Sequence, residues 1–445
     1  MRGQLGRRGG QRGGHEAGRG RTSLVGAATQ IGGALCAGAY WHEGRCNWAG
    51  RSPRELTEPG GPLTPTVAAL GPELYSGTAG IALFLAWLHQ RTGAEETRET
   101  ARGAIRQALW RSEDLTPSTK RSFFSGTLGI AYAAAKVGLL LGDSDLVETA
   151  VDLATRALAA DGEHVLDVIG GNAGAVAPLL WMGGLPNGDR LRDRAIELAE
   201  ELAAAAVKDG GVWRWENERA CGRGMGPTSL CGLAHGASGM GLALIESGVS
   251  CGRTDWIEGG LAAFAYEDQH YDAIRENWPD LRELPSRQDG HASQPAIRGL
   301  SFMTAWCHGA PGIGLARLRA VKLLPERREA LMAGVDRAIH TTAAHLEALP
   351  PDADASPCHG RAGLAETLLY ASHVLGDPRH AVRAVRAWRE PLRRFAEPAE
   401  WPCGVASGWN NPSLMLGHAG IGYALLRADD PVASPPLLLV ESVAS

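Results

Sequence analysis

Lysine is almost missing from this chain: four residues among 445 (Lys120, Lys136, Lys208, Lys322), so arginine carries nearly all the positive charge. The formal net charge of −5 gives the molecule no general pull toward nucleic acid or an anionic membrane. None of the eight cysteines lies in a CxxC pair, and eight in a chain this long do not make a disulfide scaffold. Thiols kept reduced in a cytoplasm are the expectation, which leaves some free for metal or catalysis. No stretch resembles a membrane span. Strand-like alternation is scarce. The first 21 residues hold six arginines, many glycines and almost nothing apolar. They cannot bury surface and are expected to form a disordered tail. Arg7-Arg8 followed by the mild apolar run Leu24 to Ala39 imitates a twin-arginine export signal. Gln30 and several glycines interrupt that run, and it reads better as the first helix of a domain spanning residues 22–445.

What the chain has in abundance is a repeat. A glycine pair spaced G-x-x-G recurs seven times, at Gly77/Gly80, Gly126/Gly129, Gly171/Gly174, Gly236/Gly239, Gly309/Gly312, Gly360/Gly363 and Gly417/Gly420. The first glycines are 49, 45, 65, 73, 51 and 57 residues apart, each enough for a helical hairpin with its loops. A largely apolar segment follows each pair, and an all-round apolar helix belongs inside a structure. Between them lie amphipathic helices, one through Leu146, Ala150, Leu153, Ala154 and Ala157, another through Leu191, Ala195, Leu198, Ala199 and Leu202. Both show a single buried stripe. An open solenoid would want polar caps at its ends. The first and last units here are as apolar as the middle ones. The expected fold is all-α: an α/α toroid, a closed ring of seven hairpins with inner and outer helices. The glycines would start the inner helices, whose N-terminal amides would point to one rim.

Aligning the repeats on the first glycine exposes the chemistry. The residue before it is Ser76, Ser125, Gly170, His235, His308, His359 and Leu416. The residue two before is Cys307 in the fifth unit and Cys358 in the sixth. Ring symmetry makes these sulfurs neighbours although they are 51 residues apart. His235, His308 and His359 share the rim. Two thiolates and an imidazole suit zinc and leave a fourth position open. A bland alternative makes both cysteines small core residues. By symmetry His308 and His359 are equivalent candidates for the imidazole. Asp167, in an apolar context before the third pair, caps a helix or takes part in catalysis. Lone His89, His164, His270 and His418 read as structural or exposed, and Cys403 as a packed residue rather than a reactive thiol. The longest interval carries Tyr266, Glu267, Trp278, Asp280 and Arg282. It reads as a lid or peptide-docking element, or as an outer helix with a surface excursion.

Three segments carry a family resemblance: Gly232-Leu-Ala-His-Gly-Ala-Ser-Gly239, Trp306-Cys-His-Gly-Ala-Pro-Gly312 and Cys358-His-Gly-Arg-Ala-Gly363. With the seven glycine pairs, they make the chain resemble the lanthionine synthetase C family from about residue 22 onward. Tyr266-Glu267, Asn277-Trp-Pro-Asp-Leu-Arg282 and the ending Leu414 to Tyr423 with Pro435-Pro-Leu-Leu-Leu439 bring it nearest to the cyclase half of class II lanthipeptide synthetases. The resemblance implies zinc held by Cys307, Cys358 and His359, with His308 set aside because the family varies there. It implies acid/base work for His235 and support from Asp167. It further implies a dehydrated precursor peptide as partner, without nucleic acid or an integral membrane segment. In those synthetases a dehydratase domain precedes the cyclase. Only the Arg/Gly tail lies upstream here, so action alone, a separate dehydratase partner, or a remnant all stay open. Two other readings compete: a zinc relative that adds glutathione to dehydrated residues, and an inactive peptide-binding scaffold. A toroidal glycoside hydrolase would need paired carboxylates at the mouth, where this chain has cysteine and histidine.

Overall fold

A computed structural model describes residues 23–55, 63–159, 164–217, 228–282, 300–405 and 410–442. The expected tail at residues 1–21 lies outside the described residues, as do Cys221 and residues 283–299 of the longest interval. The chain enters through α1 (Leu24–Ala37), whose N-cap Ser23 accepts from the Gly26 amide at 3.0 Å. Six consecutive hairpins follow. They pair α2 (Thr78–Thr92) with α3 (Glu95–Arg111), α4 (Thr127–Leu141) with α5 (Ser144–Leu158), and α6 (Asn172–Met182) with α7 (Asp189–Ala204). Next come α8 (Ala237–Cys251) with α9 (Thr254–Asp268), α10 (Ala310–Leu323) with α11 (Arg328–Ala348), and α12 (Arg361–Leu375) with the short α13 (Pro378–Arg386) and α14 (Arg389–Arg394). The last helix, α15 (His418–Asp429), packs against α1. The seventh hairpin is thus assembled from the two ends of the described chain, and this closes the ring.

The inner wall is α2, α4, α6, α8, α10, α12 and α15, each touching the next, with α15 touching α2. Burial follows the sequence pattern. Helix α2 buries every residue from Thr78 to Ala86. Outer α5 buries one stripe: Val147, Ala150, Val151, Leu153, Ala154, Ala157 and Leu158. Among the described residues, four two-stranded antiparallel sheets decorate the ring, a minor feature that the scarcity of alternation left unannounced. Among the described residues no helix is long and apolar enough to cross a membrane.

The G-x-x-G pairs have a steric cause. The first glycine of every pair is the N-cap of an inner helix. A Cβ on the second would lie 1.7–2.3 Å from the carbonyl oxygen six residues earlier, so only glycine lets the preceding loop fold down onto the helix. Gly309 also needs its freedom, with φ at +91°.

Those loops are stitched into a rim by backbone hydrogen bonds two residues before the first glycine. Tyr75 N donates to Phe124 O at 2.9 Å, Met415 N to Tyr75 O at 2.9 Å, Cys358 N to Met415 O at 3.0 Å and Cys307 N to Cys358 O at 3.4 Å. The bond from the seventh unit to the first joins the two ends of the described chain. The bond from the fifth to the sixth brings the two cysteines side by side.

Candidate metal centre

One ligand atom from each of Cys307, Cys358 and His359 lies within 4.8 Å of the others. Cys358 is buried and Cys307 half-buried, while His359 is exposed. The Tyr75 hydroxyl donates to Cys358 Sγ at 2.9 Å. Tyr75 occupies in the first unit the repeat position that Cys307 and Cys358 occupy in theirs, so the same register delivers it to the sulfurs. His359 Nε2 meets Gly404 O at 3.0 Å, with Asp354 Oδ2 at 3.4 Å. Two acceptors there favour a proton on Nε2, which leaves the lone pair on Nδ1. Ser356 holds Asp354, its amide reaching Oδ1 at 2.7 Å and its hydroxyl Oδ2 at 2.9 Å.

The two sulfurs behave as a coupled pair. The Cys307 thiol lies below its ordinary range, because the Cys358 thiol donates to it and Arg282 and His235 lie nearby, against the opposing effect of burial. Cys358 is pushed up, by keeping that proton and by its own burial. Two sulfurs and one imidazole nitrogen at this spacing form a soft donor set that fits zinc.

His235 stands on the same rim. Its Nδ1 lies 2.7 Å from Asp167 Oδ2, while Asp167 Oδ1 accepts from the Gly170 amide at 2.8 Å. The carboxylate therefore both caps its own loop and fixes the imidazole, so the two readings of Asp167 coexist. Fixing Nδ1 leaves Nε2 as the ring atom free to exchange a proton. His308 lies outside the sulfur cluster and stacks on His235, centroids 5.7 Å apart. Burial, with help from Arg282, pulls its pKa down to about 4, so it stays neutral beside His235.

The stretch read from sequence as a lid or peptide-docking element, or as an outer helix with a surface excursion, is in its described part the end of outer helix α9, with Tyr266 and Glu267, and a connection that buttresses these loops. Glu267 is fully buried and accepts from the amides of Gly232 at 2.7 Å and Ser238 at 2.8 Å, and from the Ser238 hydroxyl. It grips both flanks of the loop that carries His235. Asn277 Oδ1 accepts from the Ala310 amide at 3.0 Å and so caps α10, just beyond Cys307 and His308. Buried Asp280 holds Arg282 through Nε at 2.9 Å and Nη2 at 2.5 Å. The role of Asn277 carries no repeat signal, because it comes from a connection that does not repeat, and that of Glu267 carries none because it sits at the end of outer helix α9, outside the glycine register.

The remaining candidates stay apart from the cluster. His418 opens α15 and is buried, and burial lowers its pKa to about 4. His270 packs on the Tyr266 ring at 4.8 Å, and His89 Nδ1 meets Ala94 O at 2.9 Å. Cys403 Sγ faces the carbonyls of Trp401 and Asn411, and burial raises it to about 11, an inert thiol.

Among solved structures, nisin cyclase is similar over 81% of this chain and 89% of its own, at 19% identity and a TM-score of 0.56. That likeness establishes the α/α-toroid fold. Glycoside hydrolases are more distant: a family 105 enzyme of C. acetobutylicum ATCC 824 has a TM-score of 0.47 at 12% identity, covering 72% of this chain and 97% of its own. The unsaturated glucuronyl hydrolase of Bacillus sp. GL1 has a TM-score of 0.47 at 13% identity, covering 92% and 97%. The family model described as "Lanthionine synthetase C-like protein" matches residues 68–439, the whole ring apart from its first helix, and the chain belongs to that family.

Proposed function

We propose that the protein is a zinc-dependent lanthionine synthetase, closing (methyl)lanthionine thioether rings in a dehydrated lanthipeptide precursor. The observation that carries this reading is the Cys307–Cys358–His359 donor set on the same rim as the His235–Asp167 pair. A zinc ion held by the three residues would lower the pKa of an incoming peptide cysteine, whose free thiol near 8.5 is mostly protonated at neutral pH.

The chain's own residues supply the rest. Ring closure joins a cysteine sulfur to the β-carbon of dehydroalanine or dehydrobutyrine. The double-bond electron pair moves toward the carbonyl as an enolate, then returns to take a proton at Cα. The thiol loses one proton and Cα gains one, so the reaction is an isomerisation. His235 Nε2 exchanges that proton, and Asp167 on Nδ1 fixes the tautomer and stabilises the imidazolium. Glu267 holds the loop, and so the height of the imidazole over the rim.

The test uses zinc-loaded protein and a peptide carrying dehydro residues and free cysteines. Products are read by mass spectrometry after thiol alkylation. The expected result is loss of alkylatable thiols with no change in peptide mass. Thiols that stay alkylatable at the uncatalysed rate would refute the proposal. A glutathione adduct on a peptide whose own thiols remain free would replace it with intermolecular addition.

A further inference from the structure

The proposed ring closure puts a negative charge on a carbonyl oxygen of the substrate, and none of the roles assigned so far receives it. Oxyanions of this kind need a fixed donor aimed at the place where charge appears. The rim offers few. His308 is buried and stacked on the His235 ring, His359 belongs to the metal donor set, and His235 is committed to the proton.

Arg282 is different. Its Nε and Nη2 are spent on buried Asp280, at 2.9 and 2.5 Å, and Nη2 also lies 3.9 Å from the Met303 sulfur. Asp280 is itself pinned, its amide donating to Ser301 O at 2.8 Å. A guanidinium gripped along one edge is rigid, and the other edge keeps its donors. No hydrogen bond engages Nη1 among the described residues, and the side chain is 27% exposed. Met303, against which Nη2 lies, is four residues before Cys307, and Asp280 is tied to Ser301 of the same stretch of chain, so the guanidinium sits beside the rim loop that carries Cys307 and His308.

We propose that Arg282 is a catalytic residue of the ring closure, with Nη1 donating to the enolate oxygen of the dehydro residue, and that Asp280 is its positioning residue. As sulfur bonds to Cβ, the π pair moves onto the carbonyl oxygen that Nη1 faces. It returns when Cα takes its proton, and Arg282 neither gains nor loses one. This inference rests on the cyclase reading.

The test compares Arg282→Gln and Arg282→Lys with the parent protein, all zinc-loaded, on the same dehydrated peptide. In Arg282→Gln the expected result is unchanged zinc stoichiometry, an unchanged KM and a kcat lower by roughly 10²-fold, the usual loss for one oxyanion donor. Added guanidinium ion is expected to restore part of that kcat, and Arg282→Lys to fall between the two. Parental kcat in Arg282→Gln would overturn the proposal. So would a loss that tracks zinc content, or one that guanidinium does not touch. A parent protein that closes no ring would overturn the cyclase reading and this inference with it, and the parent control separates the two failures.

Discussion

The two ends of the ring use the same kinds of residue to opposite purposes. At the rim where the inner helices begin, polar atoms are left with spare capacity: the Cys307 and Cys358 sulfurs, His235 Nε2 and Arg282 Nη1. Toward the other end, charges are buried and matched. Arg319, 1% exposed, sits ten residues into α10 and binds Glu246 of α8 at 2.6 Å. It also reaches Glu441 at 3.2 Å, and Glu441 in turn takes Lys322 at 3.0 Å and the Tyr370 hydroxyl at 2.8 Å. Arg427 of α15 lies 3.2 Å from Glu366 of α12 and donates to Ser434 O at 2.7 Å. Both networks tie the segment after α15 to inner helices. That segment packs inside the ring and reaches back to the rim, where Trp306 Nε1 donates to Leu438 O at 3.2 Å. One end is closed electrostatically so that the other can stay open.

Substitutions at the two ends should therefore separate activity from stability. The largest effect is expected at the open end. His235→Asn should lower kcat by roughly 10²–10⁴-fold, with zinc content and melting temperature unchanged. A variant of parental rate would remove the imidazole from the reaction. At the closed end, Glu246→Ala leaves Arg319 with Glu441 alone. It should cost about 3 kcal/mol in chemical denaturation, while the rate per folded molecule stays the same. A rate defect at full occupancy of the folded state would show that the ends are not independent. Smaller is the expected effect of Asp354→Asn, which weakens the acceptor behind His359. It should reduce zinc affinity about 10–100-fold in a chelator competition, without loss of fold.

The smallest effect concerns acid. Burial holds His418 at about 4 when folded, against an ordinary value of 6.5. The unfolded chain therefore takes up the proton first. The stability tied to neutral His418 is intact above pH 6.5 and is lost as pH falls from 6.5 toward 4. His418→Leu should flatten that limb of the stability profile. An unchanged limb would mean that His418 does not titrate with unfolding.

The same contrast explains what the sequence disclosed. Fold and sulfur pair are legible because both depend on the repeated loop. The second glycine admits the carbonyl six residues back, and the residue two before the first glycine makes the rim bond. Cys307, Cys358 and Tyr75 share that position, though only the cysteines attract notice as ligands. Choosing His359 over His308 needed the family resemblance, because spacing treats them alike; coordinates separate them by what each ring faces. Asn277 and Arg282 act on the rim from an unrepeated connection and Glu267 from the end of outer helix α9, so the glycine register gave no sign of their partners. The pairing of α1 with α15 was hidden by sequence distance. An apolar first helix and an apolar last helix are only two separate facts until the ring closes.

The most direct test of the central claim is zinc X-ray absorption on the purified protein, beside Cys307→Ala and Cys358→Ala. The parent is expected to show a shell of two sulfurs at about 2.3 Å with nitrogen or oxygen at about 2.0–2.1 Å, and either variant to lose stoichiometric zinc. A parent shell without sulfur, or variants that keep their full zinc, would contradict it.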